Sequence, residues 1–299
     1  MLCKLEPIKL NCKKTAAWKL LKSKEYINLE ETLFSGQVFH FKKLGDGLFI
    51  GNVFNDFAVL KQEKNDVYFI DYNHTVEDNL GRFFNLGVDT GFPDMIPGLR
   101  FLTNEITSTI FSFICSSNNN ISRISKMVNY LYSKGEELKI DLPDVFDKNL
   151  LEKINSNKIY KFPASSGLVN CKEELIKEKF GYRAQYICDA ARFLSNNQID
   201  WDKLTQEESR KILMQMKGVG RKVADCILLI GLRFFHVVPL DTHLIKYSKT
   251  EFNLSFKTMN DKIYSEIQKM WITKFGNFAG IMQLFVFKSM VDKRLKKPK

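Results

Sequence analysis

The sequence has no C-x-x-C pair, and its six cysteines, at positions 3, 12, 115, 171, 188 and 226, are widely scattered. This spacing excludes zinc fingers and four-cysteine iron–sulfur clusters. It also has no window of 18 uninterrupted apolar residues, so we expect no membrane-spanning segment. Scattered cysteines without an N-terminal apolar signal segment predict a reduced intracellular compartment. We expect no metal and no cofactor.

Acidic residues are fewer than basic ones. There are 34 Asp and Glu against 45 Lys and Arg, which gives a formal charge of +11. This excess is larger than solubility requires and predicts a polyanionic partner, first of all a nucleic acid. With 44% hydrophobic residues and 25 Phe, the 299-residue chain can fill a sizeable core, which argues against disorder. We expect one compact unit or two to three subdomains.

The periodicity predicts an α+β fold. The runs QVFHFKK, LFIGNV, FAVLKQ and VYFIDY, separated by turn residues, predict a four-stranded antiparallel meander. After the Gly/Pro-rich break GVDTGFPDMIPG, nine runs carry apolar residues three and four apart, which predicts helices. The predicted organisation is an antiparallel β domain at 1–98, a helical domain at 99–200, and a helix–hairpin–helix region with C-terminal helices at 201–299.

The hairpin lies in EESRKILMQMKGVGRKVADCILLIGL, where two helical patterns flank the segment Lys217-Gly218-Val219-Gly220. Glycines at 218 and 220 allow a tight turn and leave N–H groups facing outward at the start of the next helix. Such a nest binds phosphate without reading sequence. An ordinary helix–helix turn is the alternative interpretation.

Lys222 lies in the first turn of the second helix, with Cys226 one turn later on the same face. The helix dipole and partial burial both disfavour an ammonium, so we expect a partly neutral, nucleophilic amine. The alternative is that Lys222 simply contacts a phosphate. Asp241, in VVPLDTH, is expected to cap a helix and also suits proton transfer or stabilisation of a positive sugar. His243 either contacts a phosphate or is an ordinary surface histidine.

Six strings, distributed over most of the chain, resemble the eukaryotic-type 8-oxoguanine DNA glycosylases of the helix–hairpin–helix superfamily. They are SGQVFHF, FSFICSSNNNISRI, GYRAQY, KGVGRKVADC, VPLDTH and AGIMQLFVF, in the family's order. The resemblance implies an antiparallel β domain of the TATA-binding-protein type plus two mostly helical domains, with the lesion pocket between them.

The resemblance also implies roles for residues in that pocket. Lys222 would attack the sugar and form a Schiff base, supported by Asp241. Cys226 and Phe287 would sandwich the extruded base, and Gln283 would bind its Watson–Crick edge. The Gly36 carbonyl would accept the N7 proton that guanine lacks. Helical spacing alone would also fit Phe287 as a core residue.

Other implied roles concern the rest of the duplex. Asn118, Arg123 and Arg183 would read the estranged cytosine, and Tyr182 would wedge into the base stack. Without the resemblance, the three asparagines at 118–120 would fit a helix C-terminus and turn. The phosphate contacts would come from Gly218, Val219, Gly220 and His243. The family usually has proline at the position of Lys217 and a basic residue at the position of His40. We expect the charge of His40 to depend on pH.

The function that the resemblance implies is base excision repair. The enzyme would be a bifunctional DNA glycosylase that excises 8-oxoguanine and formamidopyrimidine-guanine opposite cytosine, then nicks the strand by β-elimination. One alternative is a monofunctional alkyl-base glycosylase, which would have no need of Lys222, and another is a non-catalytic DNA-binding module. We expect a monomer that binds damaged double-stranded DNA and no membrane. The basic tail KRLKKPK predicts the nucleus, with the mitochondrion as a further compartment.

Overall fold

The structure is a computed structural model that describes residues 8–10, 16–45, 47–73, 75–91 and 96–295. Its main sheet has five antiparallel strands in the order β2-β6-β5-β4-β3. The strands are β2 (Ala17–Leu20), β3 (Lys42–Gly45), β4 (Leu48–Val53), β5 (Asp56–Glu63) and β6 (Asp66–Asp71). The predicted meander β3–β6 is confirmed, and β2 is an additional edge strand. At the β4–β5 turn, Phe54 and Asn55 both have positive φ, as a tight two-residue hairpin turn requires.

The first predicted strand is mostly a buried connection. Only Lys42 and Lys43 of QVFHFKK enter β3, while all five side chains at 37–41 are buried. Phe39 packs in the core of the helical part, whereas Val38 and Phe41 pack in the core of the sheet. The segment therefore joins two cores instead of pairing with a neighbouring strand, and this explains its strand-like composition.

A second, three-stranded sheet was not predicted. It consists of β1 (Ile8–Leu10), β7 (Glu137–Ile140) and β8 (Ile159–Tyr160), with β1 parallel to β7 and β8 antiparallel to it. Leu138 and Ile159 belong to the same core as the main sheet, although they lie within the predicted 99–200 domain. The three domain boundaries stay a prediction.

The described residues contain twelve α-helices. They are α1 (Leu29–Leu33), α2 (Val76–Phe83), α3 (Ile106–Ser116), α4 (Ile121–Tyr132), α5 (Lys148–Asn155), α6 (Lys172–Lys177), α7 (Arg183–Asn196), α8 (Gln206–Leu213), α9 (Arg221–Ile230), α10 (Thr242–Glu251), α11 (Asp261–Phe275) and α12 (Ala279–Leu295). The nine predicted runs correspond to α3, α4 and α6–α12. The sequence reading missed α1, α2 and α5, which have eight residues or fewer. The α+β fold class is confirmed.

Two cores position the helices around the site. In the larger one, α3 packs against α4, α7 and α9. A smaller core forms around the fully buried Trp271 and holds α10, α11 and α12 against Val238 and Leu240. No helix among the residues described above is both long and apolar enough to cross a membrane.

Candidate active site and nucleic-acid interface

A cavity that is partly open to solvent, with about 530 Å³ of space including that open part, lies where α3, α9 and α12 meet the loops at 35–37 and 239–241. It is lined by Ser35, Gly36, Gln37, Phe101, Phe113, Lys222, Cys226, Leu229, Ile230, Pro239, Asp241, Gln283, Leu284 and Phe287. All six residues that the sequence placed at the catalytic centre and base pocket are in this lining. They come from four separate parts of the chain, so only the fold brings them together.

Lys222 enters the cavity from the first turn of α9. This helix begins at Gly220, and no side chain caps its N-terminus. The amine lies 5.8 Å from the centroid of the Phe113 ring and is in hydrogen-bonding contact with Cys226. A primary amine on a helix start, lining a largely apolar pocket, is placed to react with a bound molecule.

The charge of this amine differs from the sequence-based expectation. The Cys226 sulfur, and after it the Asp241 carboxylate, raise the pKa of the Lys222 amine, and burial opposes them. Burial also raises the pKa of the Cys226 thiol. The expectation of a partly neutral amine is therefore wrong. Lys222 must give up a proton before it can act as a nucleophile.

Asp241 begins α10 as predicted. Its Oδ1 accepts a hydrogen bond from the Leu244 N–H at 2.8 Å, which is the N-cap interaction. The same residue lines the cavity, so capping and a role toward Lys222 are compatible. The cap fixes the carboxylate in place.

The loop that carries Gly36 is fixed by a residue that the sequence analysis did not select. Gln37 donates through Nε2 to the Ser35 hydroxyl (2.9 Å) and the Arg100 carbonyl (3.0 Å). Its Oε1 accepts from the Leu102 N–H at 2.8 Å. Gly36 itself has φ +90°, a conformation that favours glycine. The signal for Gln37 was its place in the SGQVFHF string, but two of its three partners, Arg100 and Leu102, lie more than 60 residues away in the chain.

Gln283 and Phe287 are one turn apart on α12. Both are partly exposed, whereas Leu284, Phe285 and Val286 between them are buried. Phe287 meets His243 edge to face, with ring centroids 5.7 Å apart. The Nδ1 atom of His243 is buried and has no hydrogen-bond partner. Phe287 thus presents a ring to the cavity instead of being wholly a core residue.

Two of the three predicted cytosine-reading residues, Asn118 and Arg183, lie together in a second cluster, at the start of α7 and the turn after α3. Arg183 is buried and donates to the carbonyls of Ser117 and Asn118, the latter at 3.0 Å. Its guanidinium lies 4.5 Å from the Tyr182 ring centroid, and Tyr182 is half exposed. Arg123 does not join them, because its guanidinium donates to the Lys179 carbonyl at 2.8 Å.

The hairpin between α8 and α9 has the expected turn. Gly218 has φ +88°, and a Cβ at this position would lie 2.6 Å from the Tyr186 ring. The Val219 N–H already donates to the Met216 carbonyl at 3.1 Å, so Gly220 and the uncapped first turn of α9 are what remain for an anion. Lys217 is exposed and lies 3.7 Å from the Asp189 carboxylate.

His40 lies away from the cavity lining. It is buried, its Nε2 lies 2.7 Å from the Asn52 carbonyl oxygen, and its ring stacks on Tyr132 at 4.6 Å. Burial lowers the pKa of His40 to about 4. It is therefore neutral near pH 7, and the expected pH-dependent charge near a lesion is wrong for the physiological range.

Comparison with known proteins identifies relatives in sequence and in structure. Residues 19–127 match the family model described as the N-terminal domain of 8-oxoguanine DNA glycosylase. The N-glycosylase/DNA lyase of Saccharomyces cerevisiae is 33% identical over 233 residues, which cover 67% of this chain and 59% of that protein. The chain is therefore similar in sequence to the 8-oxoguanine DNA glycosylases.

Two further matches extend this similarity to most of the chain. The N-glycosylase/DNA lyase OGG1 of Arabidopsis thaliana is 28% identical, covering 93% of this chain and 82% of that protein. The structure of MBOgg1 in complex with a low-affinity DNA ligand is 27% identical, with a TM-score of 0.74, covering 91% of this chain and 97% of that one. The match spans less than two thirds of the length of the yeast relative.

Proposed function

We propose that this protein is a bifunctional DNA glycosylase that removes 8-oxoguanine, and formamidopyrimidine-guanine, from duplex DNA. The observation that carries the proposal is the Lys222 amine, which lies at an uncapped helix start and lines the same pocket as Asp241. A base inside a duplex is out of reach of an amine, so the damaged nucleotide must be flipped into the cavity. The names of the yeast and Arabidopsis relatives support both a glycosylase and a lyase step.

The reaction would use Lys222 as the nucleophile. Its nitrogen would bond to the sugar C1′ atom while the bond from C1′ to the base breaks, and the base would leave with the electron pair and a proton. The C1′–O4′ bond of the sugar would then break, with O4′ taking up the proton that the nitrogen loses, to give a protonated imine. This imine would make a C2′ proton acidic, and loss of that proton would expel the 3′ phosphate and cut the strand. Asp241, fixed by its cap, would stabilise positive charge on the sugar.

The cavity walls would select the base. Phe287 offers a ring face and Cys226 lies on α9 in the same lining, so the two would sandwich a purine. Gln283, one turn from Phe287, would form hydrogen bonds with the Watson–Crick edge of that purine. The carbonyl of Gly36, on the loop fixed by Gln37, would accept the N7 proton that distinguishes 8-oxoguanine from guanine. Formamidopyrimidine-guanine carries a donor at the corresponding position.

Cytosine would be read by the second cluster. Asn118 and Arg183 lie together there, and Tyr182 is exposed enough to enter the base stack. Arg123 would join them if it exchanged its bond to Lys179 for the base. Guanidinium donors suit O2 and N3 of cytosine, and an asparagine oxygen suits its amine.

The phosphates would be held by the start of α9, with Gly218, Val219 and Gly220 shaping the turn, and by His243 in the first turn of α10. The net charge of +11 favours DNA as the polyanion. We further propose that the protein acts as a monomer in the nucleus, with the mitochondrion as a second compartment. Residues 296–299 of the basic tail lie outside the described residues.

Borohydride reduction tests the proposal directly. Incubation with a duplex that carries 8-oxoguanine opposite cytosine should give a covalent protein–DNA adduct, because borohydride reduces an imine to a stable amine. The Lys222→Gln protein should form no adduct and cut no strand, yet still bind the lesion duplex. Lys217→Gln is the matched control, since it removes an exposed lysine from the same hairpin. Full trapping by Lys222→Gln would refute the assignment of the nucleophile.

A further inference from the structure

A buried carboxylate that the proposed chemistry does not use lies behind the cavity. Asp225 is three residues after Lys222 on α9, is fully buried, and does not line the cavity. Its Oδ1 accepts a hydrogen bond from Arg210 Nε at 2.9 Å. Its Oδ2 accepts two more, from the Tyr264 hydroxyl and Gln268 Nε2, each at 2.9 Å.

Both α11 partners of Asp225 also bind the segment that precedes Asp241. The Tyr264 hydroxyl accepts a hydrogen bond from the Leu240 N–H at 2.9 Å. The Gln268 Nε2 donates to the Val238 carbonyl at 2.8 Å as well as to Asp225. Two bridges therefore run from α9 to the 238–240 segment, each through a single side chain of α11.

Both bridges lie in the protein interior. Tyr264, Gln268, Val238 and Leu240 are all buried. Hydrogen bonds to a carboxylate in such surroundings are strong, and leaving one unmade is costly, so the two anchored segments have little freedom to shift. Arg221 adds to this by stacking over the Tyr264 ring, 4.5 Å from its centroid.

The two anchored segments carry the two catalytic groups. Asp225 is one helical turn from Lys222, and Leu240 is next to Asp241 in the chain. We propose that Asp225, Tyr264 and Gln268 are positioning residues that fix the separation of Lys222 and Asp241. This inference rests on the function proposed above. It adds a requirement that the cavity lining does not reveal, because all three residues lie outside that lining.

The test uses Tyr264→Phe, which removes the bridging hydroxyl and keeps the packed ring. The substrate is a duplex with a preformed abasic site opposite cytosine, so that base flipping and base recognition do not enter the measured rate. Single-turnover borohydride trapping should slow by about 10- to 100-fold, since a displacement near 1 Å can cost a reaction that much. The dissociation constant for the same duplex should change by no more than about two-fold, because no phosphate contact is altered.

Tyr247→Phe is the matched control. Its ring also packs on Trp271 near α11, but its hydroxyl is directed to Glu251. This variant should trap at the wild-type rate. Gln268→Met, which removes the second bridge at similar side-chain volume, should slow trapping as Tyr264→Phe does. All rates are measured at a temperature where circular dichroism shows each variant folded.

The outcomes separate the two proposals. If the wild-type protein forms no adduct, the proposed function fails, and the positioning role fails with it. If the wild type forms the adduct and both Tyr264→Phe and Gln268→Met match its rate while folded, only the positioning role is overturned. A slower rate matched by an equal loss of duplex binding would also overturn it, because that pattern indicates general damage to the fold.

Discussion

The burial of His40 makes a quantitative prediction about acid stability. Its ring lies between Phe41 and Tyr132, and Nε2 bonds the Asn52 carbonyl, so a protonated imidazole would be a buried charge. When the chain unfolds, this ring becomes an ordinary solvated histidine. The perturbation is therefore a fall in pH, and the comparison is with His40→Gln, whose side chain does not titrate but still offers a donor to Asn52.

The sign follows from the two pKa values. The folded-state pKa is lowered from 6.5 to about 4, so between these values the unfolded chain binds the proton and the folded protein does not. The free energy of unfolding is thus unaffected by His40 above pH 6.5 and falls as pH decreases through the window down to about 4. At about 1.4 kcal/mol per pKa unit, the full loss is about 3 kcal/mol, of which about 2 kcal/mol has been lost by pH 5.

Urea unfolding at about pH 7.5 and about pH 5 measures this loss. Other groups titrate in the same range, but they are shared by the wild type and His40→Gln. The wild type should therefore lose about 2 kcal/mol more than the variant over this interval. An identical pH dependence in the two proteins would refute the argument, because it would mean that His40 can take up a proton in the folded state.

The remaining predictions concern the proposed activity on DNA. Phe287→Ala should weaken binding to an 8-oxoguanine duplex by about 1–3 kcal/mol and leave binding to undamaged duplex unchanged. If a binding titration shows equal losses of affinity for the two duplexes, the variant is misfolded. Binding to undamaged duplex should weaken steeply with salt, whereas a flat response would count against DNA as the partner. Lys217→Pro should change the slope of the logarithm of the binding constant against the logarithm of the salt concentration by at most about one. In single-turnover assays, excision should be faster opposite cytosine than opposite adenine. Opposite adenine some buried hydrogen bonds are left unmade, and each of these costs about 1–3 kcal/mol. Arg183→Ala should narrow that gap, and equal rates for the wild type would remove the cytosine-reading roles.

The sequence was sufficient where local physics decides the structure. The meander β3–β6 follows from short apolar runs between turn residues, and α9 follows from its apolar spacing after two glycines. The cap at Asp241 is equally local, since it needs only the residues up to Leu244. The catalytic set followed from the resemblance, because no local rule places Gly36 beside Gln283.

The sequence was insufficient where contacts between residues far apart in the chain determine the structure. The parallel pairing of β1 with β7 joins segments about 130 residues apart, and no turn signal encodes it. The pKa values of Lys222 and His40 depend on neighbours that only the fold supplies, such as Asp241 and Tyr132. Both expectations about charge were therefore wrong, although the residues themselves were correctly selected.

The proposed preference for cytosine also depends on contacts that Arg183 makes with residues distant in the chain. Its guanidinium donates to the carbonyls of Ser117 and Asn118, and Asn118 has the left-handed φ of +48° that such a turn requires. To read a cytosine, Arg183 must exchange some of these bonds for bonds to the base. An exchange of this kind contributes only about 0.5–1.5 kcal/mol per bond, not the full value of a new one. The preference for cytosine is thus set by the free-energy difference between Arg183 bonded to the 117–118 carbonyls and Arg183 bonded to the base. It therefore depends on how rigidly the 117–118 turn is held.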